Sequence, residues 1–461
     1  MSGGASASVR RRICLALPTN RACADAIGAL HAEAAYGADN FDVDVQVLIL
    51  DSSDARTNAA HRAVVEALTP VPHVAVHLLD ESAQRVFLEA AIGASGLDEP
   101  KRLTELMLPD GVSYGACTNR AFLIAAALGC DSVHRRDSDS AYQVLDGQPV
   151  FPIDQELLGV GRRAGEVAAS GLVGESALKP AQTDRTVVIA GASFIGETSV
   201  DISEIEQLDN DVYYEVVSLW APSEWSEAQR RELVSESFRG AGLEPFAQDH
   251  SVLGRVDPMR IDMCNIAFHR DAYERVPLLP ALDTIGSDYF LMHAICDAGL
   301  PGILHNRHIV NFYTAERRTD AGFAAYQLRF VKFFLSMLYL NFIYERMGEL
   351  GGALLDEQGR LRSEAVVELA RESAKLDTAE NGWRLETIDR CYRKLGGRYA
   401  AFADSIALRG AELIERARTD IEEFALLTEV WQQLVNAARA TADALPLAAL
   451  PPAAAEWRTT S

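Results

Sequence analysis

The stretch Val43-Asp44-Val45-Gln46-Val47-Leu48-Ile49-Leu50-Asp51-Ser52-Ser53 decides how the first part of this chain folds. From Val43 to Leu50 it is β-branched and apolar, and it stops at Asp51-Ser52-Ser53, so it reads as a buried strand entering a loop. Upstream, Ile13-Cys14-Leu15-Ala16-Leu17 has the same character and ends at Pro18-Thr19-Asn20, with an Ala-rich helical stretch over 21–36 between the two. Downstream, the pattern predicts a helix over 55–68 and a third strand from Val74 to Leu79. Strand, helix, strand, helix, strand predicts a mostly parallel sheet with helices on both faces. Such sheets bind ligands beyond the carboxyl ends of their strands. Asn20 and Asp51 both fall at those ends, so both are expected to point into one crevice.

Further along, helices are predicted over 83–95, 99–107 and Tyr114–Leu128. Asp131-Ser132-Val133-His134 reads as a short strand running into Arg135-Arg136-Asp137-Ser138-Asp139-Ser140. Two short extended runs flank Asp146-Gly147, a strong hairpin signal. Residues 160–185 are Gly/Ala/Ser-rich and predict no clear element. Next come a strand over Thr186–Ala190, a helix over 224–242, a mixed stretch over Ile261–Arg270, a helix over 286–298 and a strand-to-loop junction over Ile303–His308. From about 320 helical periodicity runs nearly to 446, with a Gly-rich break at 348–352 and amphipathic stretches at 363–375 and 400–440. Phe330–Tyr344 is apolar nearly all round and too short to span a bilayer, which predicts a buried core or subunit-interface helix. The outline is a leader at 1–11, an α/β domain at 12–320, a helical region at 321–446 and a loose tail at 447–461.

Composition narrows the function classes. The 461 residues are 48% hydrophobic and 24% charged, ordinary for a globular protein with a large core. At roughly 100–200 residues per domain, the length suits two or three domains, or one large domain with an appendage. With 43 basic and 66 acidic residues the net charge is −23, which disfavours non-specific binding to nucleic acid or to an anionic membrane. The seven cysteines are scattered with no CxxC pair, so neither a zinc site nor a disulfide framework is expected, and a cytoplasmic setting is the simpler reading. No run approaches ~18 apolar residues, so no transmembrane segment is expected.

Asp137-Ser138-Asp139 is the most informative tripeptide. Two carboxylates two residues apart at a strand end can share one hard divalent cation, Mn2+ or Mg2+, beside phosphate oxygens. Such a cation could neutralise a diphosphate leaving group. Arg135, Arg136, Arg307, Arg317 and Arg318 could pair with phosphate oxygens, which the planar guanidinium suits. Gly191 to Gly196 has phosphate-loop glycine spacing but lacks the Lys-Ser/Thr that completes one, so it reads as an acceptor-side loop. Phe194, Tyr213, Tyr214, Trp220 and Trp225 could stack on a sugar or aglycone, although core packing is the commoner role for such residues.

Five segments, in this order, resemble the GT-A glycosyltransferases, especially the family 2 type, over residues 12–316. Leu15-Ala16-Leu17-Pro18-Thr19-Asn20-Arg21 is similar to their opening strand and nucleoside-binding loop. Val47-Leu48-Ile49-Leu50-Asp51-Ser52-Ser53 is similar to the strand whose terminal Asp contacts base or ribose. Thr118-Asn119-Arg120-Ala121, leading on to Asp137-Ser138-Asp139, is similar to the helix that packs on the nucleotide and delivers the metal motif. Cys264 to Ala272, with Ile285-Gly286-Ser287-Asp288-Tyr289-Phe290-Leu291, is similar to the acceptor-side segment. His305-Asn306-Arg307-His308 is similar to the late strand that often supplies a histidine to the metal.

The resemblance implies a metal-dependent transfer from a nucleotide-diphosphate-sugar donor, a UDP or GDP sugar foremost, to an acceptor hydroxyl or amine on a small molecule or peptide. It implies donor contacts from Pro18, Thr19, Asn20, Arg21, Asp51, Asn119, Arg120, Asp137 and Ser138. Metal contacts fall to Asp137, Asp139 and His308, with His305 the other histidine candidate, and acceptor contacts to Asn265 and Ser287, with Trp220 as a stacking surface. Asp288 suits a general base, because it opens a predicted helix whose dipole favours the carboxylate, and Asp283 is the nearest substitute.

This chain departs from the pattern in two places. Ser287-Asp288 offers one carboxylate where a pair is usual, and Asp139 and Asp288 are further apart than in a minimal member, which implies an insertion near 155–240. Inversion or retention stays open. A sugar nucleotidyltransferase is the first rival, but its Gly-rich first loop is replaced by Pro18-Thr19-Asn20-Arg21. A non-catalytic scaffold is the second, and the intact Asp137, Asp139 and Asp288 count against it. The C-terminal helices could serve homo-oligomerisation, acceptor recognition or bracing.

Overall fold

The computed structural model describes residues 10–197, 202–312, 314, 317 and 319–445. The expected tail, most of the expected leader and Arg318 lie outside the described residues.

Strands β1 (Arg11–Thr19), β2 (Val43–Asp51) and β3 (Val74–Asp80) alternate with helices α1 (Ala24–Asn40) and α2 (Ala55–Ala67). Side chains on a strand point alternately to opposite faces. Ile13, Leu15 and Leu17 of β1 therefore join α1 in one core, while Cys14 and Ala16 join the core on the other face. Helices α3 (Glu81–Ser95), α4 (Pro100–Met107) and α5 (Tyr114–Ala127) lead to β4 (Ser132–Arg136). Strand β5 (Ser140–Tyr142) precedes the expected hairpin of β6 (Val144–Leu145) and β7 (Gln148–Pro149). It turns through Asp146 and Gly147 at φ 51° and 79°, a left-handed pair that Asp-Gly accommodates.

The next stretch holds helices α6 (Ile153–Gly159) and α7 (Ala164–Ser170), strands β8 (Glu175–Ser176), β9 (Ile189–Gly191) and β10 (Phe194–Gly196), and helices α8 (Ser203–Leu208), α9 (Asn210–Val217) and α10 (Glu227–Glu236). Strands β11 (Ser251–Gly254) and β12 (Asn265–His269), helices α11 (Arg270–Tyr273) and α12 (Phe290–Asp297), and strands β13 (Gly302–His305) and β14 (Ile309–Asn311) complete the α/β part.

Among the described residues, nine strands form one sheet in the order β3-β2-β1-β4-β12-β9-β13-β11-β8. β3, β2, β1 and β4 run parallel, β12 runs antiparallel to both β4 and β9, and β13 is parallel to β9. This is the mostly parallel sheet, covered on both faces, that the GT-A resemblance implies. Chain order reverses at β1, which pairs with β2 on one side and β4 on the other, so the carboxyl ends of β1 and β4 open a crevice. A smaller sheet, β10-β14-β5, stands beside it.

The stretch 155–240, where an insertion is expected, supplies β8 and β9 to the main sheet, and β9 pairs with both β12 and β13 near its middle. The helix expected over 286–298 begins only at Phe290, after a series of turns.

The helices α13 (Asp320–Leu350), α14 (Ser363–Ser373), α15 (Ala379–Leu395), α16 (Gly397–Ala407) and α17 (Gly410–Ala440) close the structure. The apolar run in α13 is buried all round, from Phe330 to Leu340. Its side chains share one core with α3, α5 and α12, so the helical region braces the sheet rather than standing apart. No helix among the described residues is long and apolar enough to cross a membrane.

Candidate active site

Helix α5 is held tightly against the segment that leads to Asp288. A Cβ on Gly115 would lie 1.8 Å from the Leu279 carbonyl oxygen, so only glycine permits that approach. One turn later, Asn119 donates to the Leu278 carbonyl and accepts from the Leu278 N–H, both at 2.8 Å. Asn119 is buried, and both ends of its amide bond the backbone, so it packs α5 against this segment where a donor contact is expected of it. Arg120 donates to Gln84 and to the Met107 carbonyl and reaches the edge of the crevice.

Asp51 is corrected in the same way. It is buried beneath the crevice and accepts from the Ser53 N–H, Asn58 and His61, each at 2.8 Å. Burial alone would raise its pKa, but these bonds hold it below the usual carboxylate range. His61 Nε2 accepts the Cys23 N–H at 3.1 Å, which leaves the proton on Nδ1 facing Asp51. The pair thereby ties down the chain just after Pro18–Arg21. The Cys23 thiol beside His61 is no nucleophile, since burial pushes its pKa to about 11.

A polar cleft of about 320 Å³ opens where the sheet topology places it. Pro18, Thr19, Asn20 and Arg21 form one wall, Gly111 to Tyr114 another, and Asp137, Ser138 and Asp139 the floor. Alongside lies a chamber of about 180 Å³ lined largely by aromatic and aliphatic side chains, Trp220 among them. Tyr114, Arg135, Asp137, Asp139 and Arg317 line both spaces and so form their junction.

The junction is a charge cluster. Arg135 reaches Asp137 at 3.1 Å and Asp288 at 3.2 Å. Asp139 takes Arg21 at 2.7 Å and Arg317 at 2.8 Å on the same oxygen. Asp137 is pushed up to about 6, first by desolvation, against the pull of Arg135, and further by Asp139, Asp262 and Asp288. Burial also raises Asp288, with Arg135 opposing. The helix-dipole argument for an ionised Asp288 is corrected accordingly, since it lies before the cap of α12, with Tyr289 between them, and desolvation dominates.

Other sequence candidates stand apart from both spaces. Asp283 lies near Arg329 at 3.4 Å, and its N–H bonds the Val112 carbonyl. Asn265 donates to the Ser193 and Arg307 carbonyls. Ser287 is buried and lines neither space. His308 accepts the Ser193 N–H on Nδ1 and lines neither space. His305 is buried, neutral and pushed to about 3 by desolvation. Arg307 pairs with Asp249 and Asp154. Among the described residues, no group of three or more His, Cys, Asp and Glu side chains gathers closely enough to hold a metal.

Arg136 also turns away, into a buried network under β4. It forks onto Glu33 and Glu156, while His134 reaches Glu156 at 2.6 Å and Tyr142 donates to Glu33 at 2.5 Å. Burial would raise Glu156, but Arg136 and His134 outweigh it and hold the carboxyl at about 2. A depressed pKa contributes stability that is present above the unfolded value of 4.5 and is lost as pH falls toward 2. Urea titrations at pH 5 and pH 2 should therefore differ by on the order of 3 kcal/mol from this group. In Glu156→Gln that share of the acid slope should vanish; an unchanged slope would place the titration elsewhere.

Sequence reasoning missed Asp262, Tyr114, Tyr289 and His293. Asp262 lines the chamber, held by the Tyr289 hydroxyl at 2.7 Å and the Cys264 N–H at 3.0 Å. It sits just ahead of β12, an acidic residue at a strand's start, where the strand-end rule does not look.

Fold and site together define an α/β protein with a charged cleft at the switch point of its sheet and an apolar chamber beside it. The chain belongs to a family of unknown function, DUF6271, whose sequence profile matches residues 11–446. No curated protein matches it in sequence. Among solved structures, the mannosyltransferase PcManGT from Pyrobaculum calidifontis, in complex with GDP-Man and Mn2+, is similar over 92% of this chain and 88% of that chain, at 13% identity and a TM-score of 0.35. At that distance it assigns no ligand, residue or activity here.

Proposed function

We propose that this protein is a glycosyltransferase that takes a nucleoside-diphosphate sugar in the polar cleft and an acceptor in the adjoining chamber. The observation that carries the reading is the junction itself, where Arg135, Asp137, Asp139 and Arg317 line both spaces at once. A group transfer needs donor and acceptor to meet at such a shared wall, with charged groups where the leaving diphosphate develops charge.

Pro18 to Arg21 would hold the nucleoside. Arg21 and Arg317, which converge on Asp139, are placed to turn to diphosphate oxygens. Asp137 and Asp139 would hold one divalent cation of the Mg2+ or Mn2+ kind, which takes one or two carboxylates and fills its remaining positions with phosphate oxygens and water. When bound, that cation would supply charge neutralisation to the leaving diphosphate. Asp288, on the chamber side, would accept the acceptor's proton.

The test is thermal shift and calorimetry with UDP, GDP, CDP and dTDP, each with and without manganese. At a ligand concentration 100 times Kd, the matching nucleotide should add about 2.7 kcal/mol of stability. Asp139→Ala should abolish the manganese-dependent part. If no nucleotide binds in either metal state, the reading fails.

A further inference from the structure

We infer that the chamber beside Asp288 takes a small, uncharged aromatic hydroxyl compound as the sugar acceptor; this rests on the transferase reading above.

Size is the first argument. A cavity of about 180 Å³ is close to the ~150 Å³ that holds a single benzene ring in an apolar protein interior, so one or two fused rings fit.

Wall chemistry is the second. On one side Trp220 meets Phe238 at 5.3 Å and Phe333 at 5.2 Å, an arrangement of tilted and edge-on rings that offers faces and edges to a planar guest. Met337 of α13 also lines the chamber, with a flexible, polarizable side chain suited to rings. Another lining pair is His293 stacked on Tyr344, centroids 3.9 Å apart. His293 is neutral at ordinary pH, because burial pushes its pKa to about 4. A sugar acceptor would bring several hydroxyls, each needing a directional partner when taken from water. Ser193, Glu236, Asp262 and Asn311 also line the chamber, but aromatic and aliphatic side chains make up most of its wall.

Charge is the third argument. Asp262, Asp288 and Glu236 all line the chamber. An anionic acceptor entering beside them would meet their field.

The transfer balances. The acceptor's hydroxyl proton passes to the Asp288 carboxylate, and the acceptor oxygen bonds to the sugar's anomeric carbon. The bond from that carbon to the diphosphate oxygen breaks, and the nucleoside diphosphate leaves with its electron pair.

The test is calorimetry on the full chain without nucleotide, using 7-hydroxycoumarin, methyl α-glucoside and 1-decanol. Hydroxycoumarin should bind, and at least tenfold more tightly than either alternative. Met337→Trp, which fills the chamber, should weaken it at least tenfold while nucleotide binding in the polar cleft persists. Should that variant fail to fold, Phe238→Ala, on a half-buried loop residue, should weaken binding in the same direction. Preference for the glucoside or for decanol overturns the inference, as does nucleotide binding with no coumarin bound. Coumarin binding with no nucleotide bound overturns the transferase reading and, with it, the acceptor role.

Discussion

Asp288→Asn should lower sugar transfer by about 10²–10⁴-fold, the range for loss of a general base. Nucleoside diphosphate affinity should stay within about twofold, because the change touches the reacting acceptor and not the donor. The side chain is 6% exposed, lies in the chamber and is absent from the walls of the polar cleft. Its pKa is raised by desolvation, which makes it a stronger base than a solvated aspartate. Arg135 at 3.2 Å keeps the charged form accessible and fixes its direction. The measurement is kcat/KM for transfer beside a nucleotide titration, with a melting curve to show that the variant folds. An unimpaired rate would remove Asp288 from the chemistry and point to Asp262, the other acidic side chain in the chamber that Asp288 feels.

Arg136→Met should destabilise the protein by about 3–5 kcal/mol, the cost of leaving a buried charge without its partner. Among the described residues, Arg136 is the one guanidinium that reaches both Glu33 and Glu156, and all three side chains are at most 2% exposed. Methionine fills similar space but leaves two carboxylates facing each other in a dry interior. Arg136→Lys should cost less, yet still lose the fork that bonds both acids at once. Urea denaturation at pH 7 measures both. A cost under ~1 kcal/mol for Arg136→Met would mean that the acids find other partners or protonate readily. Because Arg136 precedes Asp137, the same variant should also loosen the cleft floor.

Elements carried by local pattern were legible. The strands at 13–17, 43–50 and 74–79 are real because an apolar β-branched run can only be buried in a sheet between helices. The Asp146-Gly147 hairpin is real because its turn needs left-handed backbone. The all-round apolar run in α13 is buried for the reason expected. The path of 155–240 was not legible: the strand expected over Thr186–Ala190 overlaps β9, but nothing local marks it as pairing with both β12 and β13.

At the site, Pro18 to Arg21, Asp137, Ser138, Asp139, Trp220 and Asp288 line the cleft or the chamber. Asp51, Asn119, Asn265 and His308, also candidates, line neither space, and each is bonded within the fold. The sequence by itself determined the sheet's alternation, the crevice at its carboxyl edge and the charged residues available there, because side-chain period and turn chemistry are local. Only the tertiary structure decided which polar groups remain for a ligand. A buried polar group must find a partner, and that partner can lie far off in the chain, as Leu278 does for Asn119 and Glu33 for Arg136.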